Sequence, residues 1–141
     1  MVQRYFIFSV GLAIVVGGVI LVSCSNIKTI NSFSKNGFLI IDKSEFFNPN
    51  TKEEYTSIIV TSNSLKSPLI LLKTGTDSYD ATSLECTHDG QRLDFVNEKL
   101  SCSTDGSLFD IKGKVISGPA KKNLKQYWVD KDLLTIKIQI L

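Results

Sequence analysis

Two short segments of the chain carry residue types that bind metals or take part in redox chemistry. The first is Cys86-Thr87-His88, and the second spans residues 102–107 with the sequence Cys-Ser-Thr-Asp-Gly-Ser. Together they offer two thiols, the imidazole of His88 and the carboxylate of Asp105. This is a donor set that a single Zn²⁺ ion accepts in tetrahedral geometry. The pattern therefore predicts a metal or redox site built from two loops.

Other kinds of chemistry have little support in the sequence. His88 is the only histidine, so any histidine-based triad would need it, and there is no glycine-rich phosphate loop or nucleophile elbow. Ligand, turn and hairpin roles explain the nearby aspartates better than an acid–base pair does; these are Asp89, Asp94, Asp105 and Asp110. The net charge is only +2, which does not favour nucleic acid as a partner. We expect a protein without a catalytic site of its own.

The elements that must position these residues are short and rich in β-branched and aromatic residues, which predicts an all-β domain. Strands are expected at 38–41, 55–61, 68–73, 79–84, 92–96, 99–102, 115–117, 127–129 and 133–141. Turn residues separate them, Asn97-Glu98 among others. In the last segment, apolar residues alternate with polar ones, as in a strand with one buried face. The alternating apolar residues are Leu134, Ile136, Ile138 and Ile140.

The N-terminal region predicts export and membrane attachment. Residues 1–23 resemble a bacterial lipoprotein signal peptide, with Arg4 as the only charge before an apolar run that ends at Cys24. Cleavage and lipidation would anchor the protein through Cys24, with 24–36 as a polar tether and 37–141 as the domain. An uncleaved membrane helix is the alternative, since the run is long enough to span a bilayer. Either way, the domain would belong to the bacterial cell envelope and face the periplasm or the exterior.

From about Pro68 to the C-terminus, the chain resembles a Rieske [2Fe–2S] domain. The marks of that family follow in order: 79–81, 86–88, Gly90, Cys102, 106–110, Gly113, Val115 and 118–120. The resemblance implies a Rieske-like β-sandwich or barrel with a small cluster-binding subdomain of two hairpin loops. It also implies an electron-transfer protein, or an oxidoreductase subunit, that meets a redox partner protein at the cluster tip.

The resemblance assigns roles residue by residue. It implies that Cys86 and Cys102 ligate the buried iron and that His88 ligates the outer one. Asp105 stands where the family has its second histidine. Ser107 is retained, and its hydroxyl would bond to a bridging sulfide. Because imidazole ligands raise the potential above that of plant-type ferredoxins, a carboxylate at this position is expected to lower it.

Three further differences from high-potential members of the family concern residues near the ligands and the export signal. Gln91 and Thr104 stand where many such members carry two cysteines that form a bracing disulfide. Phe109 stands where they have a tyrosine that donates to a cysteine sulfur. Exported members often carry twin arginines in the signal, whereas this chain has Arg4 alone. The two changes near the ligands also predict a low potential.

Two alternatives use the same residues without a cluster. After export, Cys86 and Cys102 would be an even pair of thiols in an oxidising compartment, which favours a disulfide. A zinc ion held by Cys86, His88, Cys102 and Asp105 is the other alternative. In either case, the protein would be a cluster-free binding or scaffold module of the envelope.

Overall fold

A computed structural model of the chain describes residues 27–141. These residues are mostly strands and turns, with one short 3₁₀ helix at Lys43–Phe46. The strands are β1 (Lys28–Asn31), β2 (Ser34–Lys35), β3 (Phe38–Asp42), β4 (Ser57–Thr61), β5 (Leu69–Gly75), β6 (Ser78–Ser83), β7 (Asp94–Val96), β8 (Lys99–Ser101), β9 (Leu108–Asp110), β10 (Val115–Ser117), β11 (Gln126–Tyr127), β12 (Val129–Lys131) and β13 (Thr135–Gln139). The predicted all-β class is confirmed.

The predictions made for the signal peptide and for Cys24 lie outside the described residues. Within residues 27–141, the structure holds no helix with the length and hydropathy that a membrane span requires.

The strands form three sheets. The central five-stranded sheet has the order β1-β4-β5-β6-β11, in which β1 is parallel to β4 and the other neighbours are antiparallel. A four-stranded sheet, β10-β9-β8-β7, carries the second candidate loop between β8 and β9. The third sheet has the order β12-β13-β3-β2. The first candidate loop leaves the end of β6, so it starts from the central sheet.

The central sheet packs on both faces, and its strands β4 and β5 are therefore continuous apolar runs rather than alternating ones. One face packs with the four-stranded sheet that carries the second loop, in a core formed by Ile59, Ile70, Leu72, Leu84, Leu93, Leu100 and Phe109 together with both thiols. The other face packs on the third sheet through Leu39, Ile41, Ile58, Val60, Leu69, Leu71, Ile136 and Ile138. The candidate cysteines thus belong to one of two cores.

The segment predicted to be a tether contains two strands of the domain. β1 pairs with β4 over four residues, and Ile30 packs against the core of the third sheet. Ser32 is buried, and its hydroxyl donates to the carbonyl of Ile40 at 2.9 Å. The folded domain therefore starts before residue 37, the start expected from the sequence. Composition could not reveal a strand whose pairing partner lies much further along the chain.

Asp132 holds the turn between β12 and β13. One of its carboxylate oxygens accepts the N–H groups of Leu134 and Thr135 at 3.0 and 2.8 Å. The other accepts the Thr135 hydroxyl at 2.8 Å and lies 3.1 Å from the Lys137 Nζ. These contacts fix where β13 begins.

The buried face predicted for the last strand is confirmed only in part. Ile136 and Ile138 are fully buried, and Ile140 is half-buried. Leu134 is 67% exposed instead of buried. The reason is the Asp132 turn, which places Leu134 in the connection before β13.

Replacing Asp132 by asparagine is expected to lower the thermal unfolding midpoint by a few degrees and to flatten its dependence on acid. Hydrogen bonds from the Thr135 hydroxyl and amide, followed by Lys137 and the Leu134 amide, hold the pKa of Asp132 below its usual 3.8. A lowered pKa in the folded state means that the carboxylate stabilises the fold above pH 3.8 and loses this effect as the pH falls further. Thermal unfolding followed from neutral to strongly acidic pH measures both effects.

The matched control for this prediction is Asp130→Asn. Asp130 is an exposed carboxylate in the neighbouring strand β12. If both variants gave the same acid dependence, the Asp132 turn would contribute nothing specific.

Candidate metal centre

Residues 86–91 and 102–107 fold into two loops of the same construction. In each loop, the N–H of the cysteine donates to the carbonyl of the last loop residue at 2.8 Å. The N–H of the loop glycine donates back to the cysteine carbonyl at 2.9 Å in both. These glycines, Gly90 and Gly106, have the same positive φ of 76°, which a residue without a Cβ adopts at little cost. The two loops are therefore structurally equivalent.

An aspartate occupies the same position in each loop. Asp89 accepts the N–H of Gln91 at 3.0 Å, and Asp105 accepts the N–H of Ser107 at 2.6 Å. Such side-chain-to-backbone bonds are typical of aspartate in tight turns. In both loops, one carboxylate oxygen is thereby used to shape the loop.

The side chains of the two loops converge. The donor atoms of Cys86, Asp89, Cys102 and Asp105 all lie within 4.8 Å of one another. The Cys86 Sγ is 3.5 Å from Asp105 Oδ2, and the Cys102 Sγ is 3.8 Å from both carboxylate oxygens of Asp89. Both cysteines are free thiols and are buried. Each thiol therefore faces a carboxylate of the other loop.

His88 joins this group through Asp105. Its Nδ1 lies 2.8 Å from Asp105 Oδ2. The His88 side chain is 48% exposed, whereas that of Asp105 is 11% exposed. The structure thus brings together the four residues predicted from the sequence, with both thiols inside and the imidazole at the surface.

The protonation of the site follows from its contacts. Burial raises the pKa of the Cys86 thiol to about 11, so metal binding there must displace a proton. At Asp105, burial acts to raise the pKa, but hydrogen bonds from the Ser107 hydroxyl and amide and from His88 outweigh it. The pKa of Asp105 is therefore lowered. The site combines a protonated thiol with an ionised carboxylate.

Ser107 links the second loop to the segment 118–120. Its side chain is buried, and its hydroxyl oxygen accepts the N–H of Ala120 at 3.1 Å. Ala120 is buried in the same core as the thiols. The family resemblance implies a role for this hydroxyl beside a sulfide, and in the structure it also fixes the covering segment.

From the sequence, Asp89 is expected only in a turn, whereas the structure also places its carboxylate beside the Cys102 thiol. The signal was present, because the loops share the spacing Cys-x-x-Asp-Gly, as Cys86, Asp89 and Gly90 and as Cys102, Asp105 and Gly106. Equal spacing predicts equal loop geometry, and hence two carboxylates in equivalent positions.

Comparison with known proteins identifies the family. The family model of the Rieske [2Fe-2S] domain matches residues 48–128, which is more than half of the chain. The chain belongs to this family. No match is found among curated protein sequences.

Two solved structures illustrate the likeness. The cyanobacterial plasma membrane Rieske protein PetC3 from Synechocystis PCC 6803 is 23% identical, with 72% of this chain and 85% of that chain covered and a TM-score of 0.46. A chain from the complex of reduced oxygenase and oxidized ferredoxin in carbazole 1,9a-dioxygenase is 19% identical, with coverage of 74% and 94% and a TM-score of 0.51. The second comparison shows a shared fold. The family match supports an electron-transfer role of the Rieske type.

The residues present fit the cluster that the family implies. Each loop offers a buried thiol and a second donor, His88 in the first loop and Asp105 in the second. Thiolates, imidazoles and carboxylates are all established ligands of protein-bound iron. The set has one imidazole fewer than the two that ligate the outer iron of a Rieske centre. The matched family model describes a [2Fe-2S] domain and gives no support to the zinc alternative.

Proposed function

We propose that the protein is a membrane-anchored Rieske-type iron–sulfur protein that passes single electrons to or from a redox partner in the cell envelope. Cys86 and Cys102 would hold one iron, and His88 and Asp105 the other. The observation that carries the proposal is the convergence of donors from two equivalent loops in a chain of this family. When bound, the [2Fe–2S] cluster supplies one-electron oxidation and reduction.

The protein's own residues would determine where electrons enter and the reduction potential of the cluster. The buried thiols keep one side of the site in the apolar core. The ionised Asp105 adds a negative charge, which disfavours the addition of an electron and lowers the potential. His88 is the predicted ligand with the most exposed side chain, so a partner would dock over the loops 87–91, 103–107 and 118–120.

The anchor belongs to the same proposal. A lipidated Cys24 would hold the protein in a bacterial membrane with the domain on the periplasmic or outer side. Acyl chains contribute about 0.8 kcal/mol per buried methylene, so several chains on one cysteine make a lasting attachment. The protein would then act at a membrane surface.

Iron and acid-labile sulfide analysis of the mature, exported protein tests the proposal. We expect about two irons and two sulfides per chain and a rhombic EPR signal after reduction with dithionite. His88→Ala is expected to abolish the visible absorption of the cluster. Gln91→Ala is the matched control, because only the main chain of Gln91 takes part in the loop contacts.

Two outcomes would contradict the electron-transfer role. Protein that holds no iron but contains a Cys86–Cys102 disulfide would favour the cluster-free scaffold. One zinc ion per chain, with no sulfide, would favour the zinc form of that alternative. An unchanged visible spectrum in His88→Ala would show that His88 is not a ligand.

A further inference from the structure

The candidate metal centre lies beyond one end of strand β6, and the turn that contains Asp77 lies at the other end of this strand. Strand β6 connects the two, with Asp77 just before it and Cys86 shortly after it. A strand of this length spans roughly 20 Å. The turn at Asp77 and the metal-binding loops are therefore separated by at least the length of β6.

Three segments meet around Asp77. Its two carboxylate oxygens lie 2.6 Å from the Lys43 Nζ and 3.0 Å from the Lys131 Nζ. The N–H of Lys43 donates to the carbonyl of Leu134 at 2.9 Å. We call this region, residues 43–46, 74–77 and 131–134, the basal end.

The basal end exposes two adjacent leucines. Leu133 is 88% exposed and Leu134 is 67% exposed, both in the turn between β12 and β13. Single exposed apolar residues are common on protein surfaces, but two neighbouring leucines at a projecting turn form an apolar tip. These two side chains can leave water only by contact with lipid or with the apolar surface of a partner.

The charges around this tip are paired. Lys43 and Lys131 bind Asp77, Lys137 lies 3.1 Å from Asp132, and Lys28 lies 2.7 Å from Glu45. Each of these lysines has an acidic partner, and two of them share Asp77, so four lysines face three carboxylates and the net charge around the leucines is small. A low net charge around an apolar tip suits contact with lipid better than contact with a strongly charged partner.

The start of the folded chain lies beside the basal end. The Lys28 Nζ donates to the carbonyl of Glu45 at 2.7 Å, while Ile27 packs against the core that holds both thiols. Cys24 is three residues before Ile27, and a fully extended chain of that length reaches only about 11 Å. A membrane anchor at Cys24 must therefore hold the basal end close to the bilayer.

We propose that the basal end rests on the lipid bilayer and that Leu133 and Leu134 insert among the lipids. The inference rests on the membrane anchor in the proposed function and adds a fixed orientation to it. The metal-binding loops then point away from the membrane into the aqueous phase. Their redox partner must accordingly be a soluble protein or a domain that projects from the membrane.

Tryptophan quenching by brominated lipids tests the orientation. The natural chain has one tryptophan, Trp128, whose carbonyl accepts the N–H of Gln139 at the end of β13 away from the basal end. A second protein carries Leu133→Trp together with Trp128→Phe. Both proteins, in their mature lipidated form, are placed in phosphatidylcholine vesicles with bromine on the acyl chains. We expect the tryptophan at position 133 to lose most of its emission and Trp128 to keep most of its own.

The outcomes separate the anchor from the docked orientation. Equal, weak quenching of both proteins while they sediment with the vesicles would overturn the docked orientation and leave the anchor intact. A tryptophan at position 133 that is protected both from bromolipid and from aqueous iodide would indicate a protein partner and would overturn it too. Release of both proteins from the vesicles would overturn the anchor and the orientation together. Iron content, measured on the same samples, reports separately on the electron-transfer role.

The natural chain gives a second measurement that needs no substitution. A phospholipid with a photoreactive group in its acyl chain is activated in vesicles that hold the lipidated protein, and the modified peptides are mapped. Labelling concentrated at residues 131–134 and 43–46 is the expected result. Labelling concentrated at residues 86–91 or 102–107 would show that the metal-binding end faces the bilayer.

Discussion

Replacing Asp105 by histidine is expected to raise the reduction potential of the iron–sulfur centre by on the order of 100 mV. Centres with two imidazoles reach about −150 to +300 mV, against about −400 mV for plant-type centres with four thiolates. Two exchanges of an anionic ligand for a neutral one therefore raise the potential by at least about 250 mV. One exchange, at Asp105, should give about half of that rise.

The structure explains why position 105 is the one to change. Asp105 Oδ2 lies 2.8 Å from the His88 Nδ1 and 3.5 Å from the Cys86 Sγ. A side chain at this position therefore reaches the first loop, as an outer ligand must. Histidine cannot reproduce the bond from the Ser107 N–H to Asp105 Oδ1, so the variant is expected to lose some stability while its potential rises.

A redox titration followed by EPR measures the shift. Asp89→Asn is the matched control, because it removes a charge from the equivalent position of the first loop while an asparagine can still accept the turn bond of Asp89. We expect a smaller rise in this control. Equal rises in both variants would show that Asp105 acts through its charge alone, and an unchanged potential in Asp105→His would contradict its role as a ligand.

Much of the fold could be predicted because local chemistry determines it. Short β-branched segments between turn residues indicated an all-β domain, and the turn predicted at Asn97-Glu98 is confirmed by positive φ values of 50° and 58°. β1 was not predicted, because its pairing with β4 depends on the tertiary fold. β9 was not predicted either, and its pairing with β8 and β10 forms only in the folded sheet.

The candidate site, like the fold, could be predicted in part from the sequence. Residue types and order predicted that Cys86, His88, Cys102 and Asp105 belong to one site. The resemblance also implied that the two thiols lie on the buried side and His88 on the outer side. The structure agrees, with both thiols in the core and His88 half-exposed. The structural equivalence of Asp89 and Asp105 was visible in the spacing, but only the folded loops place Asp89 beside a thiol.

Gly118→Ala is expected to destabilise the domain by about 2–5 kcal/mol, because it combines a forced backbone clash with an unfavourable dihedral angle. Gly118 has a φ of +99°, and an added Cβ would lie 2.5 Å from the Cα of Ser107 and 2.9 Å from its nitrogen. These are backbone atoms of the second loop, so no side-chain rotation relieves the overlap. The segment 118–120 would have to move away, which breaks the bond from the Ala120 N–H to the Ser107 hydroxyl.

Gly106→Ala separates the two causes. Gly106 also has a positive φ, of +76°, but its added Cβ would meet no atom within 4 Å. Gly106→Ala should therefore lose only the stability that a positive φ costs a residue with a Cβ, about 1–2 kcal/mol. Urea unfolding of both variants gives the two free energies. If Gly118→Ala cost no more than Gly106→Ala, the covering segment would yield freely and its close contact with the second loop would contribute little. The larger cost expected at Gly118 would instead show that segment 118–120 holds the second loop, and with it Asp105, in place before any metal binds.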